Sequence, residues 1–327
     1  MAISEITRPV DLCRSDGSLN RRAVGYSRRP LHTTNLRGWG RNKRWEYWGL
    51  VTPTHFVGIT VSSLDYAAVS QLYAFDRRTG QEIVEDTLAL GSARTVLPDH
   101  PAPLTAGTNG SKLAITLTDR EDGTQIRVSS TRLTVDALAE PGGDCLAVVV
   151  PWNGRRFQYT VKDVGRPLVG EVVIDGERVA IPAGESFAVL DRGRGVWPYR
   201  LSWNWGAGAG VLNGKRIGLQ VGGKWTDGTG STENGLIVDG KLTYWPDELA
   251  WDYDRSDWYK PWHVTGPNVD ATLTPIHVRD AGTNVGIIAS SVHQAFGTWS
   301  GSATDATGQE YKLDGLTGWA EEANNRW

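Results

Sequence analysis

The chain has 327 residues and a net charge of -3, and it carries 15 Trp against 5 Phe, 10 Tyr and a single Met. With 39 Gly and 15 Pro it is punctuated often enough for many short elements, yet it shows neither collagen period nor low complexity. The near-neutral charge excludes nucleic-acid binding by a bulk basic excess, and the length suits two ordinary domains or one large β domain.

Taken in chain order, the first 35 residues show no clear period. Arg and Lys outnumber Asp and Glu over the first 45 residues, which reads as a solvated basic arm. Beyond it, apolar residues recur at every second position: Val57, Ile59 and Val61, then Leu113, Ile115 and Leu117, Ile126 and Val128, Leu133 and Val135, and later Val269, Ala271 and Leu273. This period buries one face of a strand and wets the other. Between such runs stand Asp122-Gly123, Asp175-Gly176, Asn213-Gly214 and Asp239-Gly240, which supply the positive φ of tight hairpin turns. The pattern predicts an all-β protein of many antiparallel strands, closed as sandwich or barrel to hide its edges, with few or no helices. Near the midpoint Asp163-Val164-Gly165-Arg166-Pro167 separates a strand at 157–162 from a fresh hairpin, so the expected division is 1–165 and 166–327.

Two cysteines, Cys13 and Cys145, make no disulfide framework and no metal-ligand spacing, and read as free thiols in a reducing compartment. No apolar leader opens the sequence, and the longest apolar run, 146–150, is too short to cross a bilayer, so the expected location is the cytoplasm without a membrane span. His263, His277 and His293 fall on successive strand-like runs, but no local pattern supports a metal site and none is expected. No P-loop, dinucleotide fingerprint or nucleophile elbow occurs, which disfavours cofactor redox and phosphoryl transfer; no cofactor is expected.

The densest aromatic segment runs from Asp191-Arg192-Gly193-Arg194-Gly195-Val196-Trp197-Pro198-Tyr199 into a strand. There Tyr199, Leu201, Trp203 and Trp205 share one face and Arg200, Ser202 and Asn204 the other. Ordinary cores do not prefer Trp to Phe and Met; indoles suit a site offering flat apolar area with a polar tip, and their faces stabilise cations. Carboxylates beside such a cluster are candidate acids, because desolvation holds a carboxyl protonated near neutrality. Asp191 abuts the cluster, and Glu233 sits in the turn Gly230-Ser231-Thr232-Glu233-Asn234-Gly235. The competing structural roles are a turn carboxylate paired with Arg192, Arg194 or Arg200 for Asp191, and a solvent-facing turn for Glu233 and Asn234.

Lys43-Arg44-Trp45-Glu46-Tyr47-Trp48, the Asp191 to Tyr199 string with Trp203-Asn204-Trp205, Thr232-Glu233-Asn234-Gly235, Lys260-Pro261-Trp262-His263 and the closing Gly318-Trp319-Ala320-Glu321-Glu322 occur in that order. Together they resemble a bacterial domain-of-unknown-function family, itself distantly similar to the AttH and carotenoid hydratase group. That resemblance implies two lipocalin-like antiparallel β-barrels in tandem. It also implies a cofactor-independent enzyme of hydratase, dehydratase, isomerase or cyclase type, acting by acid and base on an alkene or alcohol of a hydrophobic, terpenoid-like small molecule. The carotenoid hydratase acidic motif has no clean counterpart here, and Asp191 and Glu233 are the residues placed to stand in for its acid. The candidate ligand contacts are Arg44, Trp45, Tyr47 and Trp48 in the first half, Trp197, Tyr199, Arg200, Trp203, Asn204 and Trp205 in the second, and further along Asn234, His263 and His293. Two other readings stay open: a lipocalin-like carrier of a hydrophobic ligand, and a carbohydrate-binding or glycan-active protein using indole faces and amides.

Overall fold

The computed structural model describes residues 3–284 and 289–326. Its helical content among those residues is a single 3₁₀ turn at Arg21–Ala23. Two large, curled, antiparallel sheets make up the rest, of 14 and 10 strands, with a small two-stranded sheet near the N-terminus. The all-β, two-barrel expectation therefore holds.

In the first sheet a meander of Asn42–Val51, His55–Ser63, Ala67–Asp76 and Glu82–Leu90 joins, through Phe187–Val196 and Arg156–Ile174, the strands Leu133–Ala139, Gly123–Ser129 and Ala114–Arg120. The alternating residues read from the sequence do what their period requires. Val57, Ile59, Val61, Ile115, Leu117, Ile126, Val128 and Val135 all fill the core enclosed by this sheet. In the second sheet Arg200–Leu212 lies between Lys215–Gly223 and Leu316–Arg326, and the last pairs in turn with Ala289–Thr304 and through it with Val269–Asn284. Val269, Ala271 and Leu273 enter its core beside Trp245, Trp262 and Trp299. Asp175-Gly176, Asn213-Gly214 and Asp239-Gly240 each adopt positive φ at both positions, the mirror-image turn their strands' twist demands.

The expected division at 165 and 166 falls within a strand. Arg156–Ile174 runs through it as one strand of 19 residues. Gly165, at φ +82, sits where the pairing with Phe187–Val196 shifts register, so Gly-Arg-Pro marks a bulge that bends the strand and not a linker. The stretch through Val196 stays in the first sheet, and the second begins at Arg200.

The two sheets pack back to back. Phe56, Tyr73, Leu146, Val148 and Val189 of the first meet Trp205, Ala207, Phe296 and Trp319 of the second in a third apolar cluster. Contact is close: a Cβ on Gly49 would stand 2.4 Å from the Trp319 ring.

Candidate functional site

The seam between the sheets carries an ionisable cluster. Strand alternation decides which residues reach it. Opposite Arg156–Ile174, Lys162 pairs with Asp191, Thr160 with Gly193 and Gln158 with Gly195. Gly193 and Gly195 are required by their neighbours, since a Cβ at 193 would lie 2.0 Å from the Trp45 ring and one at 195 2.3 Å from Gln158 Oε1. Asp191 therefore faces the seam, where Lys162 Nζ lies 3.0 Å from its Oδ2 and the Thr160 hydroxyl donates to its Oδ1 at 3.2 Å.

The pairing of Asp191 with a neighbouring arginine is thereby corrected. Arg192 and Arg194 point to the opposite face, into the first core, where both bind the buried Glu46 at 2.9 and 2.7 Å. Arg200 lies out on the rim, exposed.

Glu233 comes from the second half, held at the seam by a turn whose neighbours are committed to structure. Asn234 accepts from Gly222 N–H and donates to Asp247 C=O, and Gln220 donates to Glu233 C=O. The Glu233 carboxyl is 1 % exposed, with Oε2 at 3.7 Å from Lys162 Nζ and no hydrogen-bond partner for Oε1. Burial pushes its pKa up to about 7, the Lys162 ammonium pulling against that and the Asp191 charge adding to it. The two carboxylates singled out in the sequence thus meet at one lysine.

A third carboxyl joins them. Glu321, on Leu316–Arg326, accepts a hydrogen bond from the Trp203 indole at 2.8 Å. Burial raises it too, to about 7. Lys162 itself rests against the face of Trp205, 4.2 Å from the ring centroid, so that indole face is already taken by a cation. Trp205 packs edge-on against Tyr47 and Trp319, and its N–H is held by Gln220 Oε1 at 3.0 Å. Burial raises the Tyr47 phenol above its usual range.

Beside this cluster five indoles gather: Trp45, Trp152, Trp197, Trp203 and Trp225. Trp197 donates to Gln158 Oε1 at 2.6 Å, and Trp152 donates to the Trp225 carbonyl, also at 2.6 Å. Trp225 is pivotal, because it stands beside Glu233 and also lines a cleft of about 1030 Å³. Arg200, Leu201, Ser202, Lys224 and Trp152 also line that cleft.

The remaining candidates do not converge here. Trp48 is enclosed in the first core under the Arg166 guanidinium. Arg44 is tied to Asp65 and Asp99, and Tyr199 is 40 % exposed beside Arg41. Asn204 turns into the second barrel toward Tyr253. His263 pairs with Asp270 and His293 with Asp280, each separately, and no cluster able to hold a metal ion occurs among the described residues.

Lys162, Glu321, Trp152 and Trp225 were missed in the sequence. A signal existed for the first: Gln158, Thr160 and Lys162 form a polar stripe at strand period, and all three are 2 % exposed or less. Polar groups at every second position of a buried strand mark a face that meets another layer. Glu321 follows Trp319 at the same period.

These features define an all-β protein of two back-to-back curled sheets, with carboxyls and a lysine sealed into the seam between them. The chain belongs to the family described as a domain of unknown function, DUF2804, whose model matches residues 3–327. No curated protein matches the chain. Among solved structures it is similar to a protein of Nitrosomonas europaea provisionally designated AttH, with a TM-score of 0.52, 14% identity, and coverage of 86% of this chain and 92% of that one. It is likewise similar to kievitone hydratase of Nectria haematococca, with a TM-score of 0.52, 10% identity, and coverage of 88% and 89%. At these identities the likeness is one of fold.

Proposed function

We propose that the protein is an acid–base enzyme that adds water to, or removes it from, a hydrophobic alkene or alcohol without a cofactor, at the seam carboxyls. One observation carries this reading: Glu233 is buried, raised to about 7, and has an oxygen without a hydrogen-bond partner. A carboxyl so placed is partly protonated at neutral pH, so it can deliver a proton through its O–H and take one back as a carboxylate. A fold shared with a hydratase is consistent with it.

In the hydrating direction the Glu233 O–H breaks and its proton forms a C–H bond at one alkene carbon. The cation left on the neighbouring carbon is met by the faces of Trp203 and Trp225, Trp205 being occupied by Lys162. Water then forms the C–O bond, and its surplus proton passes to a carboxylate of the cluster, with Glu321 the partner of matched pKa. One water is consumed, and proton exchange within the cluster restores the acid. Asp191, ion-paired to Lys162, fixes the ammonium that keeps both glutamates from rising further. Substrate comes from the cleft past the Trp225 indole, which lines that cleft and stands beside Glu233.

The test is turnover of a panel of isoprenoid and polyene alkenes and tertiary alcohols in ¹⁸O-labelled water, followed by mass spectrometry. Gain or loss of one water, abolished by Glu233→Gln and falling as pH rises through about 7, supports the proposal. Turnover unchanged by Glu233→Gln overturns it. An unmodified ligand retained in native mass spectra, with no turnover of any substrate, favours the carrier reading instead.

A further inference from the structure

Among the described residues one tryptophan is turned outward: Trp39 is 74 % exposed, whereas the others are buried or half-buried. It forms the tip of Arg37-Gly38-Trp39-Gly40-Arg41, where both glycines take φ +86, a conformation open to glycine at no steric cost. A Cβ on either glycine would meet nothing within 4 Å, so the tip projects clear of the fold. Trp39 touches the fold edge-on at Tyr66, with 6.3 Å between ring centroids.

Two leucines extend the patch. The Tyr66 carbonyl accepts from Gly91 N–H, and Ala67 pairs with Leu90 at the end of the edge strand Glu82–Leu90. Leu90 is 94 % exposed, and Leu88, on the same face two residues back, is 73 % exposed. Trp45, Ser62, Val69 and Leu88 form one cross-strand rung, so both leucines share the seam face of Trp45 and Lys43. Lys43 in turn lies over the Tyr66 ring. A contiguous exposed apolar patch of this kind marks a contact surface.

The charge around it is basic. Arg37 and Arg94, the latter in the turn after Leu90, are exposed, and Arg41 lies over the Tyr199 ring at the rim. The carboxylate at the tip is turned inward: Asp65 accepts from Gly40 N–H at 2.6 Å and from Asn42 N–H at 3.1 Å, and pairs with Arg44. Asp86 shares the leucines' face but lies four residues, about 13 Å, from Leu90.

We infer that this face docks on an anionic lipid bilayer, with Trp39, Leu88 and Leu90 entering the headgroup layer and Arg37 and Arg94 meeting lipid phosphates. An indole seats at such an interface with its ring in and its N–H out, and arginines beside it are drawn to the negative surface. The apolar groups project singly, which suits a fluid layer that closes around each of them better than a rigid partner that must match them. Docking sets the indole end of the seam against the lipid, for Lys43, Trp45 and Tyr47 follow one another on one face as far as Asp191. A hydrophobic compound dissolved in the bilayer would enter the seam without crossing water. The docking does not rest on the reaction proposed above.

The test sediments the full chain with vesicles of equal parts phosphatidylcholine and phosphatidylserine, and with phosphatidylcholine alone, at low salt. Binding to the mixed vesicles is expected, at least about tenfold weaker without phosphatidylserine. Trp39→Ala and Leu90→Ser are each expected to weaken it about tenfold or more, and Arg37→Ala and Arg94→Ala about fivefold each. Val211→Ser, at an exposed position near the far end of Arg200–Leu212, is expected to leave it unchanged. All these side chains are exposed, and circular dichroism verifies that the variants stay folded. No binding to the mixed vesicles, equal binding to both kinds, or binding that Trp39→Ala leaves intact overturns the inference. Self-association that Trp39→Ala removes, with no vesicle binding, also overturns it and gives the face to a second copy of the chain. Vesicle binding without turnover of any substrate counts against the proposed reaction and not against the docking.

Discussion

Replacing Glu233 with Gln separates the cost of its burial from its use. In the unfolded chain the carboxyl titrates near 4.5, and in the fold near 7. Between these values the native state keeps a proton that the unfolded state has released, so stability falls as pH rises through this window. At about 1.36 kcal/mol per pH unit, that difference amounts to about 3 kcal/mol by pH 8. Glutamine keeps the shape and cannot ionise, and Lys162 retains Asp191 at 3.0 Å. Urea unfolding at pH 4 and pH 8 is the assay. The Gln variant is expected to match the parent at pH 4, where both side chains are neutral in both states, and to exceed it by up to about 3 kcal/mol at pH 8. A difference that does not change with pH, or a variant less stable than the parent at pH 8, refutes the claim that this carboxyl is held out of water.

Lys162→Met leaves Asp191 without its buried counterion and should cost about 3–5 kcal/mol; adding Asp191→Asn should recover part of it, as a double-mutant cycle in denaturant would show. Gly193→Ala places a methyl 2.0 Å from the Trp45 ring and should destabilise by about 1–3 kcal/mol, with a change in tryptophan emission as the indole is displaced. His263→Ala breaks only an exposed pair with Asp270 and should change stability by less than about 1 kcal/mol, as urea unfolding would show.

The strands and turns were legible because their causes are local. Period-two alternation in 57–61 or 113–117 is imposed by one core against one sheet face, and Asp-Gly or Asn-Gly is imposed by the turn itself. The seam was only half legible, because a face that looks outward from one barrel is buried only when the second barrel docks. Alternation alone would have set Asp191 apart from Arg192 and Arg194. Its partner Lys162, and the meeting of both with Glu233 and Glu321, depends on a crossing of strands far apart in the chain. The tryptophan excess divides in the same way: Trp48, Trp245, Trp262 and Trp299 fill the cores, whereas Trp45, Trp152, Trp197, Trp203, Trp205, Trp225 and Trp319 line the contact between halves or its edge. Gly165 read as a break because a glycine before Arg-Pro serves a bulge as well as it serves a linker.

The bent strand Arg156–Ile174 brings Lys162 to the seam from one half, while Glu233 and Glu321 arrive from the other. Since burial in the folded chain raises the proton affinity of both glutamates, folding of the seam is itself a proton-binding step. Mild alkalinity therefore works as a wedge between the sheets, and acidity as a clasp. A change at the seam that loosens the docking would lower both glutamate pKa values together, without either residue being touched.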